Sequence, residues 1–213
     1  MSINVERFRV GPMYANAYLV YNQDLKAALI DPGGHGSILI GRIEELGLDL
    51  KFILLTHGHF DHILASQEIS SRFEAQVMIH RDDFQALSDV EYNLAQLFGQ
   101  RFNPVTNAKE LLDGDTLYLG ETKIEVIATP GHSKGSVCFL IEEEIFSGDL
   151  LFKGSIGRTD LIGGDQEELL RSLSKLSKLP DNLRVWPGHQ EQTSLKDEKE
   201  NNPWMIQARS SNC

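Results

Sequence analysis

Four potential metal ligands are concentrated in the short stretch THGHFDH, at positions 56–62. They are His57, His59, Asp61 and His62. If this stretch is extended, His57 and His59 point to the same side, because side chains alternate with a period of two. Gly58 would let the chain turn before a helix that begins near Asp61. Imidazole nitrogens and a carboxylate oxygen suit zinc, and also iron or manganese. Asp61 alone would equally fit a helix N-cap, but three histidines beside it favour a metal site.

Three further ligand-type residues lie where predicted strands end. His132 follows a strand and a Pro-Gly turn in ATPGHSKGS, Asp149 follows IFSG, and His189 follows RVWPG. Taken singly, each of them is equally consistent with an ordinary polar residue in a loop. Together with residues 57–62 they place candidate ligands at four strand ends, where α/β proteins commonly build their sites.

Strands and helices alternate along the chain, which predicts an α/β protein. Strands are predicted in AYLVY, AALIDPGG, KFILLT and AQVMIH, and later in DTLYLG, TKIEVIATPG, GSVCFLIEE, EIFSGD and LRVWPGH. KFILLT is a continuous apolar run, which is typical of a strand buried on both faces. Helices are predicted in SILIGRIEELG, at about residues 62–73, in RDDFQALS and in DQEELLRSLSKLSKL.

The segment 88–113 interrupts this alternation. Four apolar residues in it are spaced at i, i+4, i+7 and i+8, which predicts a helix with one apolar stripe. They are Val90, Leu94, Leu97 and Phe98. We expect residues 89–104, with Tyr92, Phe98 and Phe102, either to cover part of a substrate pocket or to pack on the core. The charged run KDEKENN is expected to be a solvated helix face.

The length and composition indicate a single domain over residues 1–213. The chain has 31 acidic against 20 basic residues and a net charge of −11, which disfavours nucleic acid as a partner. No apolar run approaches the roughly 20 residues of a membrane helix, and the charged N-terminus MSINVERFRV does not resemble a signal peptide. With two cysteines, Cys138 and Cys213, we expect no disulfide framework and predict a cytoplasmic protein without membrane contact.

The whole pattern of candidate ligands resembles that of the metallo-β-lactamase-fold hydrolases. The motif HxHxDH at 57–62 is followed by His132, Asp149 and His189. The segments ATPGHSKGSVCF, FSGDLLFKGSIGRTDL and WPGHQEQTSLKDEKENNPW are most similar to the glyoxalase II-like branch, the hydroxyacylglutathione hydrolases and their short bacterial relatives. This resemblance implies a four-layer αβ/βα sandwich, with two sheets face to face between helices and the metal site at one edge of the two sheets.

The same resemblance implies a role for each candidate ligand. The expected ligands are His57, His59 and His132 for one divalent metal, Asp61, His62 and His189 for a second, and Asp149 as a bridge between them. Zinc is the expected metal, with iron or manganese as alternatives. Asp61 and Asp149 are the predicted catalytic residues, and Asp149 would bridge the two metals together with a water or hydroxide. Asp31 would either brace the histidine loop or be a plain turn residue.

The implied reaction is hydrolysis of a small-molecule thioester, with an S-acylglutathione such as S-lactoylglutathione as the expected substrate. A thiolate with a pKa of about 8.5, by analogy with cysteine, leaves with little help from an acid. Arg158 in GSIGRTDL is predicted to bind a substrate carboxylate, or else to be a surface residue paired with Asp160. The longer glyoxalase II enzymes carry a C-terminal helical domain, and we expect no such separate domain here. That difference leaves glutathione as the thiol open.

Two other activities of this fold also stay open. The persulfide dioxygenases bind one iron with two histidines and an aspartate, and His57, His132 and Asp149 are the matching positions. A lactone or a β-lactam is a further candidate substrate. A non-catalytic metal scaffold is disfavoured, because binding alone would not need seven ligands. The sequence does not indicate an oligomeric state.

Overall fold

The computed structural model describes residues 3–210 of the chain. Its strands are β1 Asn4–Val10, β2 Ala15–Tyr21, β3 Lys26–Ile30, β4 Asp49–Leu54, β5 Gln76–His80, β6 Ala108–Leu111, β7 Thr116–Leu119, β8 Thr122–Ala128, β9 Val137–Ile141, β10 Glu144–Gly148, β11 Leu151–Phe152, β12 Ser155–Ile156, β13 Arg184–Pro187 and β14 Thr193–Ser194. Its helices are α1 Gly36–Glu45, α2 Phe60–Ile63, α3 Ser66–Phe73, α4 Gln166–Leu176, α5 Leu195–Asn201 and α6 Pro203–Ser210, and a 3-10 helix spans Arg81–Leu87. The predicted α/β class is confirmed, and β1 is a strand that the sequence pattern did not indicate.

The strands form two six-stranded sheets. The first has the order β1-β2-β3-β4-β5-β6, antiparallel from β1 to β3 and parallel from β3 to β6. The second has the order β14-β13-β10-β9-β8-β7 and is antiparallel except for the parallel pair of β10 and β13. A separate ribbon is formed by β11 and β12. The mixed sheets place the ends of β4, β8, β10 and β13 where their loops can meet.

Three apolar clusters separate four layers of structure. Leu39 of α1 and Ile69 of α3 pack on the outer face of the first sheet. Tyr18 and Phe139 belong to the cluster between the two sheets. Leu173 of α4 packs on the outer face of the second sheet. The predicted four-layer αβ/βα sandwich is therefore confirmed, and burial on both faces of each sheet stabilises it.

The helix predicted over residues 90–98 is wrong, because these residues form a series of turns. Leu94 has a left-handed backbone with a φ of 68°, which a right-handed helix does not accommodate. The side chain of Asn93 stabilises the turns by donating to the carbonyl of Ala86 and accepting from the N–H of Ala95. Such side-chain bonds to the backbone compete with helix formation, so the apolar spacing did not decide the structure.

The prediction of a solvated helix face in KDEKENN is also wrong in part. Within α5, Glu198 and Lys199 are buried. Lys199 Nζ donates to the carbonyl of Leu179 at 2.5 Å. Glu198 accepts hydrogen bonds from the N–H of Gly154 and from a threonine hydroxyl. Leu179 and Gly154 are distant along the chain, so the local charge pattern could not reveal them as partners.

The described chain also bears on the cysteines and on membranes. Cys138 is buried with a free thiol, and burial raises the pKa of that thiol to about 12. Cys213 lies outside the described residues. Among residues 3–210, no helix has the length and apolar character needed to span a membrane.

Candidate metal centre

All seven candidate ligands lie at one edge of the sandwich, near the strand ends where the sequence predicted them. His57 and His59 follow β4, Asp61 and His62 lie in α2, and His132, Asp149 and His189 follow β8, β10 and β13. In the described chain, the ligand atoms of His57, His59 and His132 lie within 4.8 Å of one another, and so do those of Asp61, His62 and His189. We call these groups the first cluster and the second cluster. The structure therefore brings six of the seven candidate ligands together in two groups.

The first cluster consists of three buried histidines. His59 Nδ1 and His132 Nε2 are 2.9 Å apart. His132 Nδ1 donates to the carbonyl of Arg158 at 2.8 Å, which leaves its Nε2 with a free lone pair. His57 Nδ1 lies 3.1 Å from the hydroxyl of Thr56, and His57 Nε2 is buried with no hydrogen-bond partner in the described chain. Outer partners of this kind fix the tautomer and the direction of a metal-binding imidazole.

The second cluster adds a carboxylate to two histidines. Asp61 Oδ2 lies 3.3 Å from His189 Nε2 and 3.7 Å from His62 Nε2. His62 Nδ1 lies 3.0 Å from Asp31 Oδ2, so His62 Nε2 is the nitrogen that faces the cluster. The side chain of His189 is 25% exposed, whereas that of His62 is 0% exposed. This cluster is therefore the more exposed of the two.

Asp149 lies between the two clusters. Its Oδ2 is 3.6 Å from His132 Nε2 in the first cluster. Its Oδ1 is 3.5 Å from His62 Nε2 in the second cluster. Asp149 Oδ2 also lies 3.7 Å from His189 Nε2 in the second cluster. The carboxylate therefore contacts both clusters, as a bridging ligand must.

Asp31 braces the second cluster. Its Oδ1 accepts from the N–H of Thr56 at 2.7 Å, and its Oδ2 accepts from the Thr56 hydroxyl at 2.6 Å and faces His62 Nδ1. Asp31, His57 and His62 also have ligand atoms within 4.8 Å of one another, but these bonds already engage both Asp31 oxygens. The φ of Asp31 is 50°, a left-handed conformation that costs about 1–2 kcal/mol in an L-residue. Backbone strain of this kind is concentrated at functional sites.

Two glycines allow the ligand loops to approach this closely. A Cβ atom at Gly188 would lie 2.1 Å from Asp149 Oδ1 and 2.8 Å from His62 Cε1. A Cβ atom at Gly58 would lie 2.3 Å from the Cβ of Ala86. All three distances are shorter than real Cβ contacts, so the packing around the ligands requires glycine at both positions.

The two clusters differ in charge. Burial, together with the neighbouring histidines, lowers the pKa of His57 well below its usual value and that of His59 to about 3. Burial also disfavours a charged His62, but the surrounding carboxylates outweigh it and raise the pKa of His62 to about 10. Burial opposes the charge of Asp61 as well, yet the histidines beside it lower its pKa. The second cluster is therefore the part of the site that attracts positive charge.

A divalent metal ion fits this arrangement. His57 Nε2, His62 Nε2 and Asp149 Oδ1 are buried polar atoms with no hydrogen-bond partner in the described chain. Burying such atoms without a partner is costly, and a cation held by them would remove that cost. Imidazole nitrogens and carboxylate oxygens are ligands that zinc, iron and manganese accept.

A cavity of about 350 Å³ opens onto both clusters. One side of it is an apolar wall, formed by Phe60, Leu94, Phe98 and Leu161. The rings of Phe60 and Phe98 have centroids 5.0 Å apart. Phe98 is thus the aromatic residue of segment 89–104 that lines the cavity. Phe102 packs behind the wall, and the Tyr92 hydroxyl donates to a backbone carbonyl.

Arg158 lines the same cavity, but its guanidinium is engaged. It donates to both carboxylate oxygens of Asp160, each at 2.7 Å. This pair is exposed, with 58% of the Arg158 side chain and 66% of the Asp160 side chain accessible, so it contributes little stability. A substrate carboxylate would have to replace Asp160, and substrate binding by Arg158 stays a prediction.

The sequence pattern did not indicate several residues that support or line the site. Met13 lines the cavity from a part of the chain without a ligand motif, and Phe152 lines it from a position three residues after Asp149. Asp83 accepts hydrogen bonds from the N–H of Gly58 and the hydroxyl of Ser133. The only local sign of Asp83 was an acidic pair in RDDF, which indicates no more than a helix start.

Comparison with known proteins agrees with the fold and with the donor set. Residues 10–189 match the model of the metallo-β-lactamase superfamily. The chain therefore belongs to the metallo-β-lactamase superfamily. It is 40% identical over 203 residues to the probable metallo-hydrolase YqgX of Bacillus subtilis, covering 93% of this chain and 96% of that protein. It is 36% identical over 210 residues to the hydroxyacylglutathione hydrolase GloC of Haemophilus influenzae, covering 95% and 98%.

Solved structures show the same fold over nearly the whole chain. The B3 metallo-β-lactamase BLEG-1 superposes with a TM-score of 0.90 at 38% identity, covering 95% of this chain and 99% of that one. TTHA1623, whose crystal structure is in a di-iron-bound form, superposes with a TM-score of 0.85 at 36% identity, covering 94% and 100%. Family and donor set together support a metal-dependent hydrolase of this superfamily.

Proposed function

We propose that this protein is a dinuclear thioester hydrolase that cleaves S-acylglutathiones such as S-lactoylglutathione. The observation that carries the proposal is the convergence of two ligand clusters on the two oxygens of Asp149. The similarity to GloC over 95% of this chain favours the thioester substrate. His57, His59 and His132 would hold one ion, Asp61, His62 and His189 the second, and Asp149 both. Zinc is the proposed metal, with iron or manganese as alternatives.

The residues of the chain set up the reaction by position and charge. Two divalent cations bound there would supply a hydroxide at neutral pH, because metal binding lowers the pKa of water to about 7. Asp61 and Asp149 hold negative charge beside the point of attack, and both act as ligands rather than proton donors. The thiolate leaving group, with a pKa of about 8.5, departs without a strong acid. A thioester is therefore the acyl compound that this site is best equipped to cleave.

The cavity has room for both the acyl group and the glutathione part of such a substrate. We assign the acyl group to the apolar wall, where contact with Leu94 and Phe98 would bury it. Arg158 is the cationic side chain among the lining residues of the described chain other than the clustered histidines. It would bind a glutathione carboxylate after releasing Asp160, since an arginine holds a carboxylate bidentately. The ion pair of Arg158 with Asp160 is exposed and contributes little stability, so little is lost when a substrate carboxylate replaces Asp160.

The proposal is tested by metal content and substrate turnover measured on the same preparation. We expect up to two ions of zinc, iron or manganese per chain, and release of thiol from S-lactoylglutathione. Removal of the ions with a chelator should abolish turnover, and adding back one metal at a time should identify which of them restores it. Full turnover by metal-free protein would refute the proposal.

A β-lactam is a second candidate substrate, favoured by the 38% identity to BLEG-1. The same preparation should therefore be offered a cephalosporin and a lactone beside the thioester. Hydrolysis of the cephalosporin with no release of thiol would replace the thioesterase assignment. Uptake of dioxygen with glutathione persulfide, together with one iron per chain, would instead favour a persulfide dioxygenase.

A further inference from the structure

We infer that Asp83 is the positioning residue of the first cluster, because one carboxylate ties both of its ligand loops together. Asp83 lies in the 3-10 helix Arg81–Leu87, outside the ligand motifs, and its relative exposure is 0%. Its Oδ2 accepts from the N–H of Gly58 at 2.8 Å and from the Ser133 hydroxyl at 2.6 Å. Its Oδ1 accepts from the N–H of Gly135 at 2.8 Å. The inference rests on the proposed metal centre.

The donors to Asp83 are neighbours of the candidate ligands in sequence, so Asp83 can influence where the ligands lie. Gly58 is the residue between His57 and His59, and Ser133 follows His132 directly. The two loops are 73 residues apart in sequence at the contact of His59 with His132. A carboxylate that holds both loops therefore fixes the separation of the three imidazoles.

The packing leaves the 3-10 helix little freedom to move away from these loops. A Cβ atom at Gly58 would lie 2.3 Å from the Cβ of Ala86. A Cβ atom at Gly135 would lie 2.6 Å from the backbone nitrogen of Asp83. Both ligand loops therefore pack closely against the 3-10 helix at glycines. The hydrogen bonds of Asp83 stabilise that contact.

Asp83 acts on one cluster, because the second cluster has its own brace. The hydrogen bonds of Asp83 go to Gly58, Ser133 and Gly135, whereas His62 in the second cluster is held by Asp31. A change at Asp83 should therefore weaken the binding of one ion more than that of the other. A merely structural residue would lower stability without this selectivity.

The test is metal binding to Asp83→Asn, which keeps the size of the side chain but directs an amide N–H at the donors that Asp83 now accepts from. Zinc affinity is measured by competition with a chromophoric chelator, and folding by circular dichroism. We expect the affinity for one of two ions to fall about 10- to 100-fold, the effect typical of partners that orient metal ligands. With one equivalent of cobalt, the variant should give the visible spectrum of His132→Ala rather than that of His189→Ala.

Two matched controls separate positioning from stability. Asp82→Asn changes the neighbouring acid, whose side chain is 54% exposed, and should leave both affinities unchanged. Glu198→Gln removes a buried carboxylate that accepts three hydrogen bonds away from the ligand loops. It should lower the melting temperature but not the affinity for either ion.

The outcomes distinguish this inference from the proposed function. Wild-type protein that binds no metal would overturn the proposed function. Wild-type protein with two ions, and folded Asp83→Asn with the same two affinities, would overturn the role of Asp83 alone. If Asp83→Asn does not fold, Ser133→Ala removes one of the three hydrogen bonds and should weaken the same ion several-fold. An unchanged affinity in that variant would equally overturn the inference.

Discussion

The two halves of the metal centre are built from different chemistry. The first cluster holds three histidines that are 1–6% exposed, and burial lowers the pKa of His57 and His59. The second cluster includes Asp61, raises the pKa of His62 to about 10, and leaves the His189 side chain 25% exposed. The first is a buried set of three nitrogen donors, and the second is a more exposed set that includes a carboxylate. The difference indicates that one ion would be held mainly by geometry and the other mainly by charge.

The largest expected effect comes from Asp149, because it belongs to both halves. Asp149→Ala removes an oxygen that faces His132 and another that faces His62. We expect bound metal to fall below one ion per chain and turnover to fall more than about 100-fold, beyond the effect of an outer partner. Metal analysis beside thioester turnover checks this. Retention of two ions would show that Asp149 does not link the clusters.

Two variants, each lacking one histidine of a different half, should distinguish the two ions. We expect His132→Ala and His189→Ala each to lose one ion and most of the activity. The first cluster should lose its ion more completely, because it is more deeply buried and water replaces the missing ligand less readily. Metal content of both variants after dialysis is the measurement. His35→Asn is the control, since His35 is exposed, lies outside both clusters and has a φ of 52° that asparagine tolerates. Equal metal loss in the control would remove the distinction.

Asp31→Asn should weaken the second half more than the first, because Asp31 faces His62 directly and reaches His57 only through the hydroxyl of Thr56. Asparagine tolerates the left-handed backbone at this position, so the change isolates the carboxylate that accepts from Thr56 and faces His62. We expect the affinity for one ion to fall about 10- to 100-fold. The affected ion should be the opposite one from that in Asp83→Asn, and cobalt spectra of the two variants compare them. Identical spectra would contradict two separately braced halves.

The smallest expected effect is on substrate binding, and metal binding should not change. Phe98→Ala shortens the apolar wall, and we expect KM for S-acylglutathiones with apolar acyl groups to rise several-fold, since burying a methylene group contributes about 0.8 kcal/mol. Leu97→Ala is the matched control, because Leu97 is 71% exposed and does not line the cavity. Steady-state kinetics on a series of acyl chain lengths measures the effect. A rise in KM that is the same for every chain length would argue against an acyl site at the wall.

Local sequence determined much of the molecule. Alternating strands and helices predicted the α/β class, and the ends of β4, β8, β10 and β13 were correctly predicted to carry the candidate ligands. These features follow from chain chemistry over a few residues: apolar runs form buried strands, and glycine with proline ends them. The histidine and aspartate motifs were visible for the same reason, because their spacing is local. Their family resemblance then indicated the sandwich as a whole.

Tertiary structure decided what depends on distant partners. The turns of residues 90–98 follow from contacts of Asn93 and a left-handed Leu94, against the helical spacing of the apolar residues. The burial of Glu198 and the three hydrogen bonds of Asp83 join segments that no local pattern connects. A ligand can be recognised by its type and spacing, but the residue that holds it in place is identified only when the folded chain brings its donors within hydrogen-bond distance. For this protein the sequence therefore indicated the candidate ligands, and the fold determined how each half of the candidate centre is braced.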